Sequence, residues 1–545
     1  MNNHPKVLQL DARDNVAVAL EDLPPGTEIA LSGRRVTAVE MVPAKHKIAL
    51  EPMAAGTAVT MYGVLVGRAR TAIPAGGLLT TSNVAHEAAG FTEGRTVTHE
   101  WTPPDVERWR KASFDGYKRA DGQVGTRNYW LVIPLVFCEN RNVDSLREAF
   151  EEELGYARTN AHRAQVRRLA AKLRGAEQTA EWDANRPGAQ RVFAQIDGIR
   201  FLTHQGGCGG TRDDARALCG LLAGYIHHPN VAGATVLSLG CQHAQPTMLR
   251  EELEKRAETG KPVLVFSQQE AGTEHALLER AIAETFAALV KANEALREST
   301  PLSALTVGLK CGGSDGFSGI SANPAIGHLS DLVVALGGRT ILSEFPELCG
   351  VEQELIDRCE TTEAAERFAN LMRAYEARAR AVHSGFEMNP SPGNIRDGLL
   401  TDAMKSAGAA RKGGTAPVAD VLDYPEYVRR AGLTLLCTPG NDVEAVTGQV
   451  GAGANLVLFT TGLGTPTGNP IAPVMKLATN ARLAKHMPDI IDVDTSAILR
   501  GEATVEAMGE QILTEMIEVA SGRRLTKAEA LRQDDFIPWK RGVSL

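Results

Sequence analysis

The sequence predicts a multidomain α/β protein, a small N-terminal β-rich domain followed by a mostly parallel α/β body. Three observations predict it. Residues 1–92 alternate short apolar runs with turn residues, and from about residue 120 strand-like runs alternate with helix-like ones. The chain has 545 residues, too many for one ordinary core.

The N-terminal stretches "VAVALEDLPPGTEIAL" and "RRVTAVEMVPAKHKIALEPMAAGTAVTMYGVLVGRAR" carry Pro-Gly, Ala-Gly and Tyr-Gly turns between β-like runs. The polar, proline-containing segment "EGRTVTHEWTPPDVERWRKASFDG" reads as a linker over 93–118. A central α/β domain is expected over 119–418. Its strands are "NYWLVIPLVFC", "GIRFLTHQGGC", "GATVLSLGC", "PVLVFSQQ", "LTVGLKC" and "RTILSEFPELCG", with helices in "ARALCGLLAGYIHH" and "TEHALLERAIAETFAALVKANEAL". A Gly-, Ala- and Pro-rich stretch at 384–418 then precedes a C-terminal α/β domain over 419–545, with strands in "LTLLCTPGND" and "ANLVLFTTGLGTPTGNP".

The net charge of −8 argues against nucleic acid or a membrane surface as partner, so an acidic ligand needs a locally basic pocket. The N-terminus lacks the pattern of a signal peptide. The longest apolar run, "YWLVIPLVF", is half a membrane span and contains proline. A cytoplasmic protein with reduced thiols is expected from its eight scattered cysteines.

Four of those cysteines share a context: Cys138, Cys208, Cys241 and Cys311 each close a strand-like run beside small or polar residues. In open parallel sheets ligands bind beyond the carboxyl ends of the strands, so four thiols at one edge are candidates for a shared metal site. Thiolates suit iron, iron–sulfur clusters or zinc. The chain has no C-x-x-C or H-E-x-x-H pattern, and no phosphate loop. In "GAGANL" the strand follows the glycines, the wrong order for a dinucleotide fingerprint.

The segment "GLKCGGSDGFSGISANP" holds five glycines around Cys311, Ser314 and Asp315. It is unsuited to helix or strand and reads as a ligand-holding loop. His204 lies four residues before Cys208, His46 lies between two lysines, and Glu344 and Glu347 follow a strand. Lys476 and Asn480 follow a Pro- and Gly-rich loop that begins with Thr460 and Thr461.

The stretches "PAKHKIAL", "DGQVGTRNYWLVIP", "KCGGSDGFSGISANP", "NPSPGN", "PGNDVEAVT", "GAGANLVLFTTGLGTP" and "KLATN" together resemble the altronate dehydratase-like family of sugar-acid dehydratases. The resemblance implies a SAF-like N-terminal domain. It also implies a metal-dependent hydro-lyase acting on a small sugar acid: the C2 proton is abstracted and the C3 hydroxyl leaves, giving a 2-keto-3-deoxy acid. It implies Fe2+, with Mn2+ or an iron–sulfur cluster left open.

On this reading Cys311 lies near the ion. Ser314, Asp315, Asn323, Asn441, Thr460, Thr461 and Asn480 hold the substrate. His46 or His204 transfers the proton, and Lys476 takes the carboxylate. If His46 contributes, the small domain is a lid. Leu463 stands where the family commonly has arginine. Galactarate dehydration, carbon–sulfur cleavage of a sulfolactate and non-catalytic sugar-acid binding are the alternatives. A homo-oligomer is left open.

Overall fold

The computed structural model describes residues 6–31, 33–157, 161–174 and 190–544. The alternating N-terminal residues form short antiparallel strands. Val7–Leu8, Val16–Ala19 and Lys47–Ala49 make one sheet, and Ala58–Met61, Val64–Ala69 and Val84–Ala85 another. Glu28–Leu31 pairs with Arg34–Thr37. The Tyr62–Gly63 turn has positive φ at both residues, 59° and 74°, as a two-residue hairpin requires to match strand twist. The Tyr62 hydroxyl then packs against Gly319 and Gly408 of the body, where larger residues would not fit.

The expected linker at 93–118 ends differently from the sequence reading. Ser113–Lys118 is the central strand of an antiparallel sheet between Val124–Gly125 and Glu298–Pro301. Phe114 and Tyr117 on it are buried, so burial of aromatic side chains overrides the polar composition around them.

Two parallel sheets build the body. The first has the spatial order Gly198–Phe201, Tyr129–Pro134, Val231–Ser238, Val263–Ser267. The second has seven strands: Val418–Leu422, Gly432–Leu436, Arg339–Leu342, Thr306–Cys311, Leu456–Thr461, Val474–Ala478 and Val493–Asp494. The boundary expected between 418 and 419 therefore cuts a strand of this sheet. Chain order misled there, because strands on both sides of the Gly- and Pro-rich stretch pair with one another.

Near-continuous apolar runs such as "LVLFTT" form the inner strands because helices cover both sheet faces. Arg212–His227 from the first sheet packs on Asp442–Gly451 from the second, with Leu221, Tyr225, Val446 and Val450 in one core. Gly224 lies so close to the Gly451 carbonyl that no side chain fits. Among the described residues no helix is long and apolar enough to cross a membrane.

Candidate functional site

In the seven-stranded sheet the chain leaves Thr306–Cys311 on one side for Arg339–Leu342 and later returns on the other to Leu456–Thr461. This is a topological switch point, where loops separate and a crevice opens beyond the strand ends. Cys311 ends the central strand at that point. Residue 310, one step earlier, is a fully buried lysine, which a purely structural strand would not carry.

Four further segments meet there. Glu344 follows Arg339–Leu342 in the left-handed region, φ 69°, a strained conformation for a side chain of this size. The short turn Phe345–Leu348 supplies Glu347. Helix Asp402–Ala410 presents Lys405, and the turn after it Lys412. Asn441 caps helix Asp442–Gly451 by accepting the backbone N–H groups of Val443 and Glu444.

The charged atoms interlock. Lys412 Nζ lies 2.8 Å from both the Cys311 sulfur and a Glu344 oxygen. Lys310 donates to the other Glu344 oxygen and lies 2.8 Å from Asp442. Lys405 donates to Glu347 at 2.9 Å and to Asn389 at 2.6 Å. The Cys311 thiol donates to Glu347 at 3.6 Å.

Burial would lift Glu347, but Lys405, Lys310 and Lys412 reverse this and hold it down to about 2. Burial, with Glu347 beside it, raises Glu344. Burial also raises the Cys311 thiol, against the pull of Lys412. Lys405 is raised because Glu347 outweighs its burial. Of this cluster, Glu347, Lys405 and Asp442 line an open cleft of about 520 Å3, together with Gly312, Gly313, Asn389 and Asn441.

The expected site residues divide. Asn441 lines the cleft. Ser314 follows the cleft-lining Gly313 in sequence; its hydroxyl oxygen is buried without a hydrogen-bond partner. Asp315 is fully engaged: it accepts from Ser318, Thr479 and Asn480 and pairs with Lys45 at 3.1 Å. Thr460 donates to Asn323, and Thr461 accepts from the backbone of Gly464 and Thr465. Asn480 caps helix Ala481–His486. These groups build the loop and leave the cleft to others.

The structure does not bring His46, His204 and Lys476 together. Lys476 is wholly buried and donates to the Thr467 carbonyl, with burial lowering it to about 8. His204 sits in the first sheet's edge, where Nε2 donates to Pro134 at 2.8 Å and Nδ1 accepts from Gly206. Both ring nitrogens are thus used within the fold, and burial lowers its pKa. His46 is half-buried in the small domain, Nδ1 3.2 Å from the Ala44 carbonyl. Its neighbour Lys45, not His46, reaches the body, pairing with Asp315 and with Asp397 at 2.5 Å.

The four cysteines also divide. Cys138, Cys208 and Cys241 are exposed at the end of the first sheet, while Cys311 is buried at the end of the second. The residues that sequence reasoning missed are Lys310, Lys405, Lys412 and Asp442. One signal was present, a lysine inside the apolar run "LTVGLKC".

The iron implied by the resemblance was tested against the donors at the cleft. Cys311, Glu344 and Glu347 place ligand atoms within 4.8 Å of one another. However, both Glu344 oxygens and the Cys311 sulfur already face lysine ammoniums. A cation would have to displace Lys412 and add charge to a set its lysines already neutralise, so this trio does not fit a metal.

Three family models match the chain in succession: the altronate/galactarate dehydratase SAF domain over residues 5–87, the D-galactarate dehydratase/altronate hydrolase second domain over 116–293, and the D-galactarate/altronate dehydratase C-terminal region over 302–544. The chain is 34% identical to altronate dehydratase of Escherichia coli over 542 residues, covering 99% of both chains. The chain belongs to the altronate/galactarate dehydratase family. Membership makes it a hydro-lyase. Altronate dehydratase of Bacillus subtilis is 31% identical, covering 99% of both chains. Galactarate dehydratase (L-threo-forming) of Escherichia coli is 30% identical over 94% of this chain and 92% of its own length. The second and C-terminal family regions meet between 293 and 302, where the two parallel sheets also divide.

Proposed function

We propose that the chain dehydrates an altronate-type sugar acid, and that the chemistry takes place over Glu347 and Lys405. One observation carries this reading: an ammonium at the floor of an open cleft has as its counter-ion a carboxylate facing the same cleft. An incoming substrate carboxylate competes with Glu347 for Lys405. Once Lys405 turns to the substrate, the strongest pull holding Glu347 down is relaxed, and its proton affinity rises. Glu347 then takes the proton from the carbon beside the substrate carboxylate; the electron pair left there forms the C2–C3 double bond as the C3 hydroxyl departs as hydroxide, the two leave together as water, and the enol ketonises to the 2-keto-3-deoxy acid.

Lys310 and Lys412 stay on Glu344 and keep the surrounding charge fixed while negative charge develops on the substrate. A positioned base contributes roughly 10²–10⁴ in rate. Leu463, beside Gly313 and Gly393 at the rim, brings no positive charge, which favours a mono-acid over a di-acid.

The test is a panel of altronate, galactarate and sulfolactate, read as 2-keto acid formed and sulfite released. Turnover of altronate to the 2-keto-3-deoxy product is expected. Preference for galactarate, release of sulfite, or binding without turnover would each displace this reading.

A further inference from the structure

A second charged cleft opens at the amino ends of the strands, away from the chemistry above. Thr306 and Arg339 begin two neighbouring strands of the seven-stranded sheet, and Asn455 precedes a third. All three line a cleft of about 620 Å3, whose other wall is formed by Gln123, His227 and Lys255 of the second family region. The cleft therefore lies in the seam between the two α/β regions. Strands rise about 3.3 Å per residue, so Thr306–Cys311 holds it roughly 16 Å from the Glu347–Lys405 cleft.

Contacts cross the seam. The Tyr427 hydroxyl donates to Gln123 at 2.7 Å, and Arg429 donates to the Lys255 carbonyl at 2.5 Å. The His227 ring meets Tyr427 edge-on at 4.8 Å.

Arg256, Arg339 and Arg429 all line this cleft, and among the described residues none of them pairs with a carboxylate. Arg256 donates to the Glu252 and Gly220 carbonyls, while its Nε is buried without a partner. The Arg339 guanidinium has neither a hydrogen bond nor an ion pair among the described residues. An adjoining cleft of about 880 Å3 behaves differently. There Arg216, Arg367 and Arg541 pair with Glu251, Glu426 and Asp423. Acids outnumber bases in this chain, net charge −8, so arginines left unpaired in one cleft point to an anion from outside.

The unpaired arginines act on common neighbours. Burial lowers Arg256, and Arg429 adds to this against Tyr427 and Glu252. Burial and Asp121 raise the Tyr427 hydroxyl, and Arg256 and Arg339 both act against them. Asp121 also lines the cleft, but the Gln123 amide holds its carboxylate at 2.6 Å.

A guanidinium is a planar fork matched to carboxylate or phosphate oxygens. Three forks exceed what the two oxygens of one carboxylate can use. They suit the double charge and three terminal oxygens of a phosphate monoester. The cleft is larger than a bare phosphate, and the Thr306 hydroxyl on its lining has no partner among the described residues, which suits a hydroxylated body.

We propose that the seam cleft binds a phosphate monoester of a small sugar or sugar acid, held by Arg256, Arg339 and Arg429 at a site separate from the catalytic cleft. No bond is made or broken there. A mono-acid substrate would leave two of the forks unused, so the site selects against it. The ester bridges the two α/β regions and stabilises the chain by mass action.

The full chain is titrated by calorimetry in low-salt, phosphate-free buffer with glucose 6-phosphate, inorganic phosphate and citrate. One molecule of the ester per chain is expected, bound more tightly than phosphate or citrate and more weakly as salt is added. Arg339→Met and Arg429→Met should each weaken it by roughly 10- to 100-fold, the range for one hydrogen bond to a charged group. The urea midpoint of Arg339→Met should hold, because that side chain has no partner to lose. Lys405→Met, in the catalytic cleft, should bind the ester as the parent chain does. No binding of the ester, tighter binding of citrate or bare phosphate, unaltered binding in both arginine variants, or a loss confined to Lys405→Met would overturn the proposal.

Discussion

Lys405 offers the sharpest perturbation. Lys405→Met keeps the length of the side chain and removes the charge that Glu347 and Asn389 hold. Truncating one partner of a buried, hydrogen-bonded charge pair costs about 2–5 kcal/mol, part of it from the charge left behind. If the same ammonium holds the substrate carboxylate in the transition state, kcat/KM should fall by roughly 30- to 3,000-fold, at tenfold per 1.4 kcal/mol.

Stability and catalysis separate in a double variant. Lys405→Met with Glu347→Gln removes both charges, so most of the lost stability should return, while activity stays as low as in the single variants. Urea midpoints and initial rates on altronate, measured for all four proteins, complete the cycle. An unchanged kcat/KM in the single variant would refute the role of Lys405. So would recovery of activity in parallel with stability, because the loss would then be structural.

Three other outcomes follow from the small domain and the rim. Lys47 is fully buried and lowered to about 7 by burial. Between about pH 7 and its ordinary 10.5 the unfolded chain binds a proton there that the folded chain does not, so this group makes stability rise with pH across that window. In Lys47→Met that component should vanish from the difference in urea midpoints, and an identical pH slope in both proteins would contradict it. A Cβ on Gly316 would run into the Lys45 carbonyl. Gly316→Ala should therefore loosen the Lys45–Asp315 contact and speed proteolysis within 93–110, whereas an unchanged cleavage rate would show that the loop yields freely. Leu463→Arg should shift relative kcat/KM from altronate toward galactarate, and an unaltered ratio would remove residue 463 from substrate choice.

Much of the fold was written in local patterns. The period-two runs of residues 7–85 and the continuous apolar runs of the body become strands, as at "VLVFS" and "LVLFTT". The Arg212–His227 and Glu274–Ala292 helices arise where amphipathic patterning places them. The site was legible only in part. The glycine-rich loop after Cys311 and the residues Glu344 and Glu347 could be singled out because their composition is unusual. Asp315, Thr460 and Asn480 share that composition, yet they serve the loop itself, a distinction that depends on which partner each polar atom meets.

The amino-acid order alone determined the family, the class of reaction and the presence of strand-end thiols, since motifs and periodicity are properties of neighbours in the chain. Tertiary structure decided how those pieces are grouped. It set Cys311 among lysines at the end of one sheet and three exposed thiols at the end of another, and it delivered Lys405 from a helix, and Lys412 from the turn after it, some hundred residues downstream. The reason is physical: strand order in a parallel sheet follows crossover connections rather than sequence, and a buried charge takes its ionisation from whatever the fold packs against it.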